Sequence, residues 1–334
     1  MKKNTTQNFS LWIFARFLRS MLLLIGASFL IYATLRLTPG DMVNQVLGIH
    51  ATEEMRSVLR KDFGLDSSIL VGYIQWCFKA LGGDLGVSIT FMPGEPVTEL
   101  AAHSFWVTLQ VTLLALCTSI ILAFGLAWVL GPPKPQHAMI LSPLSFLNAA
   151  PSFVIAICLY NIVNRLIQWF NNYLIETGAD WLWTPSWYPI PINSEDSFVP
   201  MLLAVICIAL GDGLFTDLFN TLRSELIQVQ NAQFMNAIRA KGANPLPHLF
   251  KNLIVPTLSV FTARLPLVLS AVVVVEYIFT LSGSGYLLIQ AAQKRDLPVL
   301  VGVSLFFILA VVISNLLLDV IKAKIDPREI SSVE

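Results

Sequence analysis

A helix needs about 20 residues to cross the roughly 30 Å of hydrocarbon in a bilayer. Stretches of this chain at 20–35, 107–130, 138–164, 198–219, 253–280 and 297–318 are apolar over about that length. No other property of the sequence restricts the fold so strongly. In lipid every backbone N–H and C=O has to be satisfied within the protein, so each stretch reads as a spanning helix. Composition agrees: 55% of the 334 residues are hydrophobic and 13% charged. Mean hydropathy is +0.70, which excludes a soluble domain. The 21 basic residues equal the 21 acidic ones, so no net charge calls for nucleic acid. Cys77, Cys117, Cys158 and Cys207 lack CxxC spacing and read as buried thiols. His50, His103, His137 and His248 form no i, i+4 pair, and no metal site is expected.

Arg19 and Arg36 bracket the first stretch, where long basic side chains snorkel to the headgroups. Arg36-Leu37-Thr38-Pro39-Gly40-Asp41 has no small-x-small cleavage pattern, so a retained span is expected instead of a cleaved signal. The distribution of Lys and Arg sets the expected orientation. Residues 1–19 hold Lys2, Lys3, Arg16 and Arg19 with no acid, and residues 220–252 hold Arg223, Arg239, Lys241 and Lys251 against Glu225 alone. Both segments are expected in the cytoplasm, and six spans then place both termini there. Residues 168–197 carry Glu176, Asp180, Glu195 and Asp196 with no Lys or Arg, and Trp169, Trp181, Trp183 and Trp187 suit an extended loop at the outer interface.

The expected layout is therefore a cytoplasmic 1–19, a first span at 20–35, a folded extracytoplasmic insert at 36–105, and a core at 106–334. That core carries the inner loop 220–252 and the outer loop 168–197. Within the insert, 53–63 reads as a short helix capped by Thr52, and Gly82-Gly83-Asp84-Leu85-Gly86 as a turn. No internal repeat is visible.

The most informative segment is the inner loop, with Phe234-Met235-Asn236-Ala237-Ile238-Arg239-Ala240-Lys241-Gly242, then Ala243-Asn244-Pro245-Leu246-Pro247, then His248, Lys251, Asn252 and Pro256. A helix with small residues, stopped by a glycine and followed by prolines, makes a compact element at the membrane's inner face. Ala237 and Ala240 let another protein approach the backbone closely, and Arg239 and Lys241 add hydrogen-bond donors. A positive-inside bias alone also produces basic, alanine-containing loops.

Four further motifs accompany this loop. They are Leu37-Thr38-Pro39-Gly40-Asp41; Phe63-Gly64-Leu65-Asp66 with Tyr73, Gln75-Trp76 and Gly83-Asp84-Leu85-Gly86-Val87-Ser88; Glu276-Tyr277-Ile278-Phe279 before Gly283-Ser284-Gly285; and Arg295-Asp296-Leu297-Pro298 before Asn315-Leu316, Asp319 and Asp326-Pro327-Arg328. Together, in this order, they resemble the permease subunits of ATP-binding-cassette importers of the peptide/nickel family, in the half similar to dipeptide/oligopeptide permease B. The loop at 234–256 is similar to that family's "EAA" loop. Asn236 stands where the general motif has Glu, Ile238 replaces a small residue, and the stretch between Gly242 and His248 is about four residues shorter. Ser282-Gly283-Ser284-Gly285 stands where the family has Trp-Pro-Gly-Leu-Gly.

The resemblance implies an all-α integral membrane protein with six transmembrane helices and the type I importer permease fold, multi-pass in the bacterial cytoplasmic (inner) membrane. It implies a second homologous permease subunit, two ABC ATPase subunits and an extracytoplasmic substrate-binding protein, with peptides as cargo and nickel or a metal chelate as the alternative. Residues Asn236, Ala237, Ile238, Arg239, Ala240, Lys241 and Gly242 would couple to an ATPase. The sequence has no G-x-x-x-x-G-K motif followed by Ser or Thr, so ATP and Mg are expected on partner subunits, with no cofactor and no catalytic site in this chain. The rivals are an ATP-independent secondary transporter or channel, which would call for repeated halves with matching broken helices, and a membrane enzyme acting on lipid.

Ionisable residues inside spans are functional candidates by default. Arg264, Glu276 and Asp217 are the candidates for lining or gating a pathway. Arg264 and Glu276 are separated by about 120° around a helix and ~18 Å along it, so they cannot pair directly. Asp217 is the expected partner of Arg264, and Pro256 and Pro266 are expected to bend the fifth span.

Overall fold

A computed structural model describes residues 2–37, 67–131, 150–178 and 198–325. Ten helices cover most of these: α1 (Lys2–Leu37), α2 (Ile69–Leu81), α3 (Val97–Leu130), α4 (Ser152–Glu176), α5 (Phe198–Leu210), α6 (Leu214–Asn231), α7 (Gln233–Ala240), α8 (Leu246–Ile278), α9 (Ser284–Gln293) and α10 (Leu297–Ile325). The only β pairing among the described residues is an isolated bridge between Val87 and Pro96. Five helices are long and apolar enough to span a membrane, and α5 with α6, bent by 54° at their junction, makes a sixth.

The helices overrun the apolar stretches, because lipid contact sets hydropathy while glycine and proline set helix ends. The second span begins at Val97, inside the stretch read as an insert. The third departs most. Its described helix is Ser152–Glu176, which takes in 152–164 of the expected stretch and runs twelve residues past it, because Pro151, extended at ψ 141°, starts it and Gly178, at φ 75°, follows its end. Residues 138–149 lie outside the described residues. Residues 168–176, read as extended loop, are thus helical, and Arg165 is accommodated within a span. Inner loop 220–252 is also mostly helix: α6 runs to Asn231, α7 follows after one residue, and α8 begins at Leu246. The helix at 53–63, residues 179–197, and the motifs at 38–41, 63–66 and 326–328 lie outside the described residues.

The chain divides into two compact units, 1–106 with 283–316 and 107–282 with 317–334. In the first unit, Leu85, Val97, Ala101, Leu287, Ala291, Val299, Leu300 and Val303 form the apolar centre. Beside it the loop after α2 closes on Asp296, which is fully buried. One Asp296 carboxylate oxygen accepts from Ser88 Oγ (2.6 Å) and from the backbone N–H of Ile89 (2.9 Å), Thr90 (2.9 Å) and Phe91 (3.0 Å). Two sequence motifs that are separated by about 200 residues are therefore one structural knot.

In the second unit, Ala115, Ser119, Ala123 and Ala127 recur every four residues along α3 and are buried. This stripe of small side chains permits close helix approach, the usual packing device where lipid removes the hydrophobic drive between helices. Around it are packed Ala204 and Ile208 of α5, Leu218 and Phe219 of α6, and Val268 and Val272 of α8. Arg223 of α6 donates from Nε to the carbonyl of Gly131 (2.9 Å), capping the end of α3 with a cation. On α10, Asp319 pairs with Lys322 at 3.5 Å. Of the cysteines only Cys207 is buried, while Cys117 and Cys158 are exposed on α3 and α4. An apolar stretch in a membrane protein does not separate core-facing from lipid-facing positions.

Candidate functional site

The fourth span breaks at Gly211-Asp212-Gly213. Gly213 adopts φ 73° and Asp212 φ 54°, a left-handed conformation that costs a non-glycine residue about 1–2 kcal/mol. Strain of this kind persists only where surrounding contacts enforce it. Here they do. Asp212 N–H donates to the carbonyl of Ala150 (3.2 Å) and Ser152 N–H to Asp212 Oδ1 (3.3 Å), which ties the break to the start of α4. Gly211 lies so close to Ser152 that an added Cβ would sit 2.6 Å from its Cα.

A break in a span frees backbone groups, and each has to be satisfied inside the protein. Ser119 Oγ donates to the carbonyl of Ala209 (2.6 Å), Gly211 N–H to that of Cys207 (3.0 Å), and Leu214 N–H to that of Gly211 (3.2 Å). The carbonyl of Asp212 accepts from Arg264 Nη1 of α8 at 3.0 Å. Arg264 Nε also donates to Asp217 Oδ2 at 2.6 Å, and its Nη2 pairs with the same oxygen. Asp217 lies in the first turn of α6, where the helix dipole favours an anion. The arginine thus bridges α8 to both sides of the break. The Arg264 and Asp217 side chains remain 27% and 35% exposed, so the pair is not sealed in the core.

Arg264 and Asp217 are joined as their sequence positions suggest, and Glu276 is not part of this cluster. Glu276 is fully buried near the end of α8, and its carbonyl accepts from Leu281 N–H at 2.9 Å. Sequence reasoning missed the roles of Gly211, Ser152 and the Asp212 backbone. Glycines on both sides of an acid inside an apolar run were the available signal.

The second element is α7. Met235 is buried (1% exposed) and Ile238, one turn on, packs partly against the same core, while Phe234, Asn236, Ala237, Arg239, Ala240, Lys241 and Gly242 are exposed. Ile238 is therefore an anchor, which explains a large apolar residue at a position where small ones suit an exposed surface. The helix ends in a Schellman turn: Ala243 N–H reaches Ile238 O (3.1 Å) and Gly242 N–H reaches Arg239 O (3.0 Å), with Gly242 at φ 67°. Asn244 Oδ1 then accepts from Leu246 N–H (3.0 Å), and Pro245 leads into α8. The short stretch 243–247 is long enough because two compact turns replace a further helical turn. Met235 went unremarked in the sequence, where a single apolar residue in a basic loop carries no pattern.

Residues 115–331 match the family described as binding-protein-dependent transport system inner membrane component. The chain is similar to the oligopeptide transport system permease protein AppB of Bacillus subtilis, 28% identical over 95% of this chain and 98% of that protein. It is 26% identical to a probable peptide ABC transporter permease protein, y4tP, of Sinorhizobium fredii, over 95% of this chain and 98% of the other. A putative peptide permease protein of Brucella ovis is 27% identical, with 94% and 97% covered.

Proposed function

The chain belongs to the binding-protein-dependent transport inner membrane component family, and we propose that it forms, with a second homologous permease subunit, the translocation path of a peptide importer driven by two separate ATPase subunits. The observation that carries this reading is α7: a short helix, anchored by Met235 and Ile238, offers its remaining residues to a partner between two membrane helices. Seated in a cleft of an ATPase subunit, it acts as a lever when ATP and Mg, bound on those subunits, draw them together. Both termini and α7 lie on the cytoplasmic side. An extracytoplasmic binding protein delivers the cargo, and the names of the relatives support peptides as that cargo.

The broken span supplies the moving part. Arg264 holds α8 to the hinge at Gly211–Gly213 and to Asp217, so displacement of α8 against α6 has to release these bonds. Half-open charged groups at a helix break suit a gate, since an ionisable pair in a span is stable only facing protein or a water-filled path.

Affinity purification of the tagged chain in mild detergent, with identification of co-purifying proteins and assay of ATP hydrolysis, tests the reading. An ATPase pair and a second permease are expected to co-purify and to be lost or uncoupled by Gly242→Asp. A chain that remains alone under conditions preserving a known complex of this type overturns it.

A further inference from the structure

Helix α2 is fastened to α1 along the stretch of α1 that is long and apolar enough to cross a membrane. Tyr73 Oη lies 2.7 Å from Ser28 Oγ and donates to the carbonyl of Ile25 at 3.1 Å. The apolar span of α1 is Trp12–Thr34, so Ser28 lies six residues, ~9 Å, inside its end. Tyr32, Tyr73 and Trp76 are in ring contact, and Arg36 Nη2 closes the start of α2 by donating to Ser67 O at 2.8 Å. Tyrosine, tryptophan and arginine gathered in this way mark the interface between hydrocarbon and headgroups.

At ~100° per residue the thirteen residues of α2 sort into three sectors. Gly72, Tyr73, Trp76 and Ala80 face the protein, and Gln75 and Lys79 form a polar strip beside them. The third sector is apolar and uncovered: Leu70, Ile74, Phe78 and Leu81 are 60%, 46%, 73% and 86% exposed. The α1 residues Leu22, Leu23, Ile25 and Leu30 are similarly bare, on a helix long and apolar enough to cross a membrane. A helix pinned at the same depth, with an apolar exposed sector and a polar edge, has the pattern of an element lying in the membrane interface.

We infer that α2 is a lipid-embedded interfacial helix, with Leu70, Ile74, Phe78 and Leu81 against the acyl chains of the leaflet at the C-terminal end of α1 and Lys79 at the headgroups. This places 69–81, part of the extracytoplasmic insert, in the membrane interface and makes it a surface specific for lipid. The inference depends on α1 spanning the membrane and not on the cargo or the ATPase.

The test is electron paramagnetic resonance power saturation on spin labels at Ile74→Cys, Phe78→Cys and Lys79→Cys. The full chain, with its four native cysteines changed to alanine, is reconstituted into phosphatidylcholine/phosphatidylglycerol vesicles. Oxygen, which partitions into hydrocarbon, is expected to relax labels 74 and 78, with an oxygen-to-nickel-chelate accessibility ratio several-fold higher than at 79. Equal access of the water-soluble nickel chelate at all three sites overturns the inference. So does exclusion of both relaxants at 74 and 78, which would mean a protein covers the face. Should the alanine background not fold, benzoylphenylalanine at position 78 of the otherwise native chain replaces it: photo-adducts to phospholipid support the inference and adducts to protein overturn it.

Discussion

Arg264 of α8 donates to both Asp217 of α6 and the backbone carbonyl of Asp212, so one guanidinium spans the break in the fourth span. Removing either charge leaves the other uncompensated in a membrane segment, whereas removing both leaves a smaller defect. Arg264→Ala and Asp217→Ala are each expected to lower substrate uptake and protein yield, and the double variant to recover part of the yield. A double-mutant cycle in detergent unfolding should give a coupling of about 0.5–3 kcal/mol, the range for residues in contact. Normal transport by both single variants would remove the pair from any gating role.

Asp296 serves a different purpose, because its partners are mostly backbone N–H groups of residues 89–91 and no cation is among the donors. Asp296→Ala strips the acceptor from four N–H groups, those of Ile89, Thr90, Phe91 and Val299, and from the Ser88 hydroxyl at once. A buried donor left unsatisfied costs about 1–3 kcal/mol. Ser88→Ala removes two bonds, the one donated to Asp296 and the one accepted from Met92 N–H (2.9 Å), and is expected to cost about 0.5–1.5 kcal/mol for each. The melting temperature of the purified chain in detergent should thus fall further for Asp296→Ala than for Ser88→Ala. Equal melting of all three proteins would show that the knot contributes nothing.

Gly211 and Gly125 offer a matched comparison. A Cβ on Gly211 meets the backbone of Ser152 at 2.6 Å, while one on Gly125 meets nothing within 4 Å. Overpacking a close contact costs about 1–3 kcal/mol when neighbours cannot yield. Gly211→Ala is expected to lower both stability and uptake, and Gly125→Ala to leave both unchanged. If the two variants behave alike, close packing of the hinge on α4 is not what holds it.

Spans could be read from the sequence because lipid exposure leaves long apolar runs, but their ends could not. Val97 and Glu176 lie well beyond the apolar runs. What fixes them is local: Pro96 before Val97 and Gly178 after Glu176. The Arg264–Asp217 pair was accessible because ionisable groups in spans are few and seek each other. The hinge geometry was not, since a positive φ at Asp212 depends on tertiary contacts to Ala150, Ser152 and Arg264 that no local pattern encodes. Likewise, the fastening of α2 to α1 rests on Tyr73 reaching Ser28, a pairing across 45 residues that periodicity cannot see.

Gly242 ends α7 at φ 67° with open space where a side chain would go. A substitution there is limited by backbone strain and not by crowding. The left-handed conformation costs most residues about 1–2 kcal/mol, and asparagine tolerates it better than β-branched residues do. Gly242→Val is therefore expected to distort the Schellman turn and shift the exposed Ala237 and Ala240, whereas Gly242→Asn should stay close to the parent. Measured as ATP-dependent uptake at matched membrane levels, the valine variant should lose most activity and the asparagine variant little. Because α7 lies outside the apolar stretches, both should insert normally, so a uniform loss of membrane protein would point to folding and not to coupling. Indistinguishable uptake from the two variants would detach the geometry of this turn from energy coupling.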